Sequence, residues 1–269
     1  MPRTGTGPDF IEALARGLEV ITAFVPQRPV MSLSEVAAAT GLARPTVRRI
    51  LLTLEELGYV RNSDKGFALT PRVLDLGTAY VGSLGLWEIA RPHMERLVAR
   101  TRESCSIAQL DHSDVVYVAR VAVPKIVTLT VQIGTRFPAL QTSLGKVLLA
   151  ALEPGQLEKT LAEPTRSGLT PRWQPGREER DAALLEVRAR GWALADEDLA
   201  RGIRSIAVPL RDGEGRVIAA INVNAHAAET SVRKLRDEHL PPLLQTAGDI
   251  SCDFARLSAV PYSVVASRS

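Results

Sequence analysis

Cysteine is scarce in this sequence: Cys105 and Cys252 are the two that occur among 269 residues. They form neither a Cys-x-x-Cys motif nor the dense pairing of a disulfide-stapled domain, so we expect no disulfide scaffold and no zinc site. The four histidines also lack the short spacings of metal ligands. We therefore expect a reducing compartment and no metal or other cofactor.

Long apolar runs are also missing. No uninterrupted apolar stretch reaches the length of about 18 residues that a membrane-spanning helix needs. The first residues, MPRTGTGPDF, contain no apolar segment of the kind found in a secretory signal. The sequence therefore predicts a cytoplasmic protein with no membrane partner.

Signatures of catalysis are absent as well. The segment LGKV has a faint likeness to a phosphate-binding loop, but Leu140 stands where the first glycine is required and Val147 replaces the serine or threonine. The sequence has no G-x-S-x-G and no H-E-x-x-H motif. We expect no enzyme, and keep as the alternative an enzyme that acts on small organic acids.

What the chain does contain is enough apolar material for two domains. Hydrophobic residues make up 45% of the sequence, so ordered cores are expected. The net charge is +3 with a pI near 9.1, a mildly basic balance that does not by itself establish a nucleic-acid partner.

Residues 1–70 follow the pattern of a winged helix-turn-helix domain. Asp9 is the expected N-cap of a first helix, Ser32 and Glu35 have capping-box spacing for a second, and Gly41 is expected to end it. A third amphipathic helix is expected over about 44–57. The segment GYVRNSDKGFALT then alternates on both sides of a polar turn, which predicts a β-hairpin.

Basic residues concentrate where such a domain meets DNA. The start of a third helix of this type lies in the major groove, and arginine binds guanine through two parallel hydrogen bonds. The alternative interpretation is an ordinary solvated helix face. We expect a double-stranded DNA operator as partner, contacted by these residues of the helix and the hairpin: Arg44, Thr46, Arg48, Arg49, Arg61 and Lys65.

Residues 71–88 are expected to form a linker helix that pairs two subunits. The predicted dimerisation residues recur at spacings of three, four and four: Val73, Leu76, Tyr80 and Leu84. The alternative is a helix that packs only within its own chain.

Residues 89–269 mix helical and β-rich segments. CSIAQLD, DVVYVARV and IVTLTVQIG read as strands, SLGKVLLAAL as a helix, and IRSIAVPLR with VIAAINVNA as a β-hairpin. The mixture predicts an α+β domain with an antiparallel sheet flanked by helices.

With both halves in place, the chain resembles the IclR family of transcriptional regulators over nearly its whole length. Five ordered segments carry the resemblance: ARGLEVITAF, LSEVAAATGLARPTVRRILLTLEELGYV, FALTPRVLDLG, GTRFPALQTSLGKVLLA and ARGIRSIAVPLRDGEGRVIAAINV. The resemblance is greatest to members that control the pca regulon of aromatic acid breakdown. It implies a GAF-like effector domain, a homodimer or dimer of dimers, and a small organic acid ligand, aromatic or dicarboxylic.

The resemblance also implies an effector pocket. Its positions, carried over residue by residue, are Leu129, Ser143, Leu144, Ala195, Ile203, Ser205, Asn222 and Asn224. The sequence departs from the family at two of them, since Ala195 stands at a commonly acidic position and Ser205 at a position that is often cysteine. Asn222 and Asn224 share one face of a strand, and the alternative interpretation of that pair is a satisfied core network. The helix that begins at Ser143 offers backbone N–H groups to a carboxylate.

A constitutive architectural DNA-binding protein is the second alternative. Such a protein needs no pocket, yet about 180 residues follow the predicted DNA-binding domain and linker. The sequence therefore predicts a ligand-responsive transcriptional regulator. Its resemblance to the pca-regulon members implies that the regulated genes serve aromatic acid catabolism.

Overall fold

The structure, a computed structural model, describes residues 7, 9–25, 27–76, 85–124 and 131–258. The chain divides into two compact units, Met1–Ser83 and Leu84–Ser269. Within the described ranges, no helix combines the length and the apolar content that crossing a bilayer requires.

The N-terminal unit contains three helices and a three-stranded antiparallel sheet of strand order β1-β3-β2. Its elements are α1 (Glu12–Thr22), β1 (Val30–Met31), α2 (Leu33–Thr40), α3 (Arg44–Glu56), β2 (Val60–Ser63) and β3 (Gly66–Leu69), followed by a 3₁₀ turn at Pro71–Val73. The predicted winged helix-turn-helix is confirmed, and the short strand β1 adds to the expected hairpin.

The start of α2 forms as expected, whereas the start of α1 does not. The Glu35 carboxylate accepts a hydrogen bond from the Ser32 backbone at 2.7 Å, and the Ser32 hydroxyl accepts one from the Glu35 backbone at 3.3 Å. Gly41 ends the helix with a φ of 68°. The predicted N-cap Asp9 is wrong: Ile11 holds that position without a side-chain cap, because the Ile11 carbonyl accepts the first helical hydrogen bond.

A single apolar core holds this unit together. Fully buried Val20 of α1 and Val36 of α2 pack with Val47 and Leu51 of α3. These α3 positions are four apart and so share one face, which leaves the opposite face of α3 to solvent.

The C-terminal unit is built on a six-stranded antiparallel sheet of order β6-β5-β4-β9-β8-β7. The strands are β4 (Ser104–Asp111), β5 (Asp114–Val121), β6 (Arg136–Pro138), β7 (Ala193–Asp196), β8 (Ile203–Arg211) and β9 (Val217–His226). The predicted sheet is confirmed. Of the strand expected over 126–134, residues 126–130 lie outside the described residues, 131 and 132 belong to no regular element, and 133 and 134 form a turn, so the described part of that prediction is wrong.

Helices cover both faces of this sheet. They are α4 (Leu86–Thr101), α5 (Ser143–Ala150), α6 (Pro154–Ala162), α7 (Arg177–Arg190), α8 (Val232–Lys234) and α9 (Leu240–Ser258). Helices α4 and α9 enclose one core with the first face, and α5 and α7 enclose a second core with the other. The cavity and the predicted effector residues that line it, described below, lie on the α5 side.

Candidate functional sites

The polar positions of α3 separate onto two flanks. The Arg44 guanidinium donates a hydrogen bond to Ser34 of α2, and exposed Arg48 follows one helical turn later on the same side. Thr46 and Arg49 lie on the other flank, where both line a groove against α1. The predicted DNA contacts of α3 are therefore not one continuous face.

Several cations of this unit are available to an anionic partner. Arg61 lies on β2 and Lys65 in the turn between β2 and β3, and both are exposed. Across the ranges that the structure describes, no acid forms an ion pair with Arg48, Arg49, Arg61 or Lys65. Unpaired surface cations suit contact with phosphate. The exposure of these side chains is therefore consistent with the predicted DNA contacts, which stay a prediction.

The groove between α1 and α3 is apolar and has a volume of about 500 Å³. Four of its leucines are about half exposed or more: Leu14 (62%), Leu18 (49%), Leu57 (50%) and Leu76 (51%). Of the predicted dimerisation residues, Leu76 lines this groove and Val73 is half-buried in the 3₁₀ turn. Tyr80 and Leu84 lie outside the described residues.

The C-terminal unit contains a small cavity on the α5 side of the sheet. Four predicted effector residues line it: Ala195, Ile203, Ser205 and Asn224. The cavity volume is about 20 Å³, which is room for a single water molecule. An aromatic ligand at this place has to displace lining side chains.

The other predicted effector residues have different surroundings. Ser143 is fully buried, and its hydroxyl lies 2.7 Å from that of Ser205. Leu144 of α5 packs into the core between this helix and the sheet and does not line the cavity. Asn222 accepts a hydrogen bond from the Ser106 backbone at 3.1 Å, as expected of a satisfied core network. Leu129 lies outside the described residues.

Six further lining residues were missed from the sequence: Tyr117, Val131, Phe137, Gln141, Thr142 and Leu199. Thr142 carried a usable signal, because its side chain caps α5 by accepting from the Gly145 backbone. Tyr117 and Phe137 meet edge to face with ring centroids 5.5 Å apart, a contact between two strands that local pattern does not reveal.

An ion pair between buried Lys146 and half-buried Asp198 holds the loop that carries the cavity residue Leu199. The Lys146 ammonium of α5 lies 2.5 Å from the Asp198 carboxylate and donates to the Leu194 carbonyl at 3.2 Å. It also lies 4.4 Å from the centre of the Trp173 ring. The Trp173 backbone in turn donates to the Asp198 carbonyl at 2.9 Å. The loop between β7 and β8 is thus tied to α5 at one point.

Two family models match the chain. The model described as the IclR helix-turn-helix domain matches residues 13–64, and the model described as the bacterial transcriptional regulator IclR C-terminal domain matches residues 78–252.

Curated relatives match along most of the chain. It is 37% identical over 244 residues to the Pca regulon regulatory protein of Pseudomonas putida, covering 90% of this chain and 84% of the relative. It is 34% identical over 247 residues to the p-hydroxybenzoate hydroxylase transcriptional activator of Acinetobacter baylyi, covering 90% and 91%.

Solved structures share the fold. A transcriptional regulator from Rhodococcus sp. RHA1 superposes with a TM-score of 0.80 at 46% identity, covering 92% of this chain and all of the other. An IclR homologue from Microbacterium hydrocarbonoxydans, in complex with 4-hydroxybenzoate, superposes with a TM-score of 0.77 at 27% identity, covering 91% and 99%.

Proposed function

We propose that this chain, which belongs to the IclR family of bacterial transcriptional regulators, binds an aromatic acid in the cavity of its C-terminal unit and thereby changes its affinity for operator DNA. Genes of aromatic acid breakdown are the proposed targets. The proposal is supported by relatives named for the pca regulon and for p-hydroxybenzoate, and by the similar structure that holds 4-hydroxybenzoate. The protein acts as a homodimer in this proposal.

The observation that carries the ligand proposal is the composition of the cavity lining. Apolar walls from Phe137, Leu199 and Ile203 face a few polar groups, among them Ser205 and Asn224. Small-molecule sites have this composition, with polar groups that fix the orientation of the ligand. Because the cavity volume is about 20 Å³, binding of an aromatic acid requires a second, wider arrangement of its walls. A ligand that prefers that arrangement shifts the population toward it.

We expect 4-hydroxybenzoate to raise the melting temperature of the full-length protein and to change its operator affinity. A coupling free energy of about 1–3 kcal/mol corresponds to a change of about 5- to 150-fold in operator affinity. The operator is first selected from random duplex DNA, and its binding is then titrated with and without the acid.

Two outcomes separate the alternatives. Turnover of the acid, measured by chromatography of the incubated mixture, would identify an enzyme. Operator binding that no aromatic acid changes, together with an unmoved melting temperature, would favour a constitutive DNA-binding protein.

Arg48→Ala is expected to weaken binding to the selected operator by about 10- to 100-fold while changing binding to random DNA much less. The reason is that a bidentate arginine–guanine contact contributes about 1–3 kcal/mol of discrimination. Exposed Arg48 is free of acidic partners among the described residues, so its guanidinium is available for that contact. Fluorescence anisotropy with both DNAs gives the ratio.

Lys65→Ala is the matched comparison, because Lys65 lies at the tip of the hairpin and is expected to contact phosphate. Loss of this side chain weakens binding to both DNAs alike, and it makes the negative slope of log affinity against log salt shallower by about 1. If Arg48→Ala leaves the ratio of operator to random affinity unchanged, Arg48 does not read a base.

A further inference from the structure

A β-bulge in β5 places two chemically important side chains on the same face of the sheet. Ala108 of β4 lies opposite Tyr117, whereas the preceding Ile107 lies opposite Ala119, so the register shifts and β5 has one extra residue. Two residues three apart normally point to opposite faces of a strand. The bulge removes that alternation, and Tyr117 and Arg120 both face the α5 side.

Cross-strand pairs confirm the orientation of Arg120. Ser106 of β4 lies opposite Arg120, and its hydroxyl accepts a hydrogen bond from the guanidinium at 3.0 Å. On its other side Ser106 lies opposite Asn222 of β9. Asn222 shares its face with Asn224, which lines the cavity. Arg120 therefore belongs to the polar side of the sheet from which the cavity is built.

Most of the hydrogen-bond donors of the Arg120 guanidinium are not used by the described residues. It is half-buried, and among the described residues it donates to Ser106 and forms no ion pair with an acid. A guanidinium carries five N–H donors, so one bond to a hydroxyl leaves most of them for another acceptor. Burial lowers the pKa of Arg120, because a cation held away from water without a neighbouring anion is less stable in its charged form.

The acids near the cavity are committed elsewhere. Asp198 is paired with Lys146 at 2.5 Å, and Asp196 with Arg204 at 2.6 Å. Glu197 accepts from the Gly202 backbone at 2.9 Å. None of these carboxylates is available to neutralise Arg120, so the polar side of the sheet retains a positive charge. Burial raises the pKa of the Tyr117 hydroxyl, and the positive charge of nearby Arg120 lowers it by a smaller amount.

We infer that Arg120 binds the carboxylate of the effector, which makes the site selective for a monoanionic aromatic acid over its neutral analogues. This inference rests on the proposed function, because it takes the cavity beside Tyr117 as the effector site. The aromatic ring then lies against Tyr117 and Phe137, and a ring hydroxyl reaches toward Ser205 and Asn224. Charge-assisted bidentate hydrogen bonds to a carboxylate are the strongest contact a guanidinium makes.

The test compares 4-hydroxybenzoate with 4-hydroxybenzamide, a neutral ligand of nearly the same shape, by isothermal titration calorimetry on the full-length protein. We expect the wild type to prefer the acid by at least about tenfold. In Arg120→Gln, affinity for the acid falls by about 10- to 100-fold, as for loss of a hydrogen bond between charged groups. Affinity for the amide changes by less than about threefold, and Arg120→Lys retains part of the preference for the acid.

Arg216→Gln is the control, because Arg216 is a 70% exposed arginine in the turn between β8 and β9. It is expected to bind both ligands like the wild type. Unchanged affinity of Arg120→Gln for the acid overturns the inference, and so does an equal loss for acid and amide, which indicates a structural role. If Arg120→Gln does not fold, the wild-type preference decides, and no preference for the acid overturns the inference. A wild type that binds neither ligand overturns the proposed function as well.

Discussion

Gly145→Ala is expected to destabilise the C-terminal unit by about 3 kcal/mol, the upper end of the usual cost of overpacking. A Cβ at this position would lie 2.0 Å from the Ala139 carbonyl oxygen and 2.4 Å from the Ala139 carbonyl carbon. These are backbone atoms that no rotamer change can move aside. Helix α5 therefore has to shift away from the 3₁₀ turn Ala139–Gln141 that precedes it.

That shift also disturbs the cavity, because Gln141 and Thr142 line it and Ser143 lies 2.7 Å from Ser205 through their hydroxyl groups. For a unit of this size the melting temperature is expected to fall by about 6–12 °C. Binding of 4-hydroxybenzoate is expected to be lost with it. Differential scanning calorimetry and calorimetric titration measure the two effects.

Gly248→Ala is the matched control. Gly248 lies inside α9, and a Cβ there has no heavy atom within 4 Å. Alanine is expected to stabilise this helix by about 0.5–1 kcal/mol, because it loses less conformational freedom than glycine. If Gly145→Ala melts like the parent and still binds the acid, the close packing at the start of α5 is not a constraint on the fold.

The sequence predicted best those features that depend on neighbouring residues. The capping box of Ser32 and Glu35 and the left-handed Gly41 are local signals, and both formed as expected. The strand alternation of IRSIAVPLR and VIAAINVNA likewise predicted the β8–β9 hairpin. Asp9 shows the limit of such signals, because a residue of the right type does not cap a helix that begins farther along the chain.

The candidate site depends on contacts between distant residues and was predicted only in part. Asn222 and Asn224 have the same alternation, yet the first is engaged by the Ser106 backbone on a neighbouring strand and the second lines the cavity. Arg120 could not be placed from the sequence, because the bulge beside Tyr117 reverses the face that simple alternation assigns. A bulge has no reliable sequence signal, and its effect is to re-aim the side chains that follow.

Leu76→Glu is expected to dissociate the proposed homodimer. Contiguous exposed apolar patches are uncommon on monomeric proteins, and the groove of Leu14, Leu18, Leu57 and Leu76 is one. A two-fold interface repeats every contact, so one substitution acts in both copies. Burying a half-exposed leucine contributes about 1 kcal/mol, and a buried unpaired carboxylate costs more. The dimer dissociation constant is therefore expected to rise by about 100-fold or more.

Leu74→Glu is the control that makes this result specific to the groove. Leu74 is two residues away and 67% exposed, and it does not line the groove. Analytical ultracentrifugation is expected to show monomers for Leu76→Glu and dimers for Leu74→Glu at the same concentration. Because two recognition helices on one duplex bind half-sites about one helical turn apart or a multiple of it, the monomer should also lose its preference for paired half-sites. An intact Leu76→Glu dimer, or equal dissociation of both variants, would remove the groove from the proposed subunit interface.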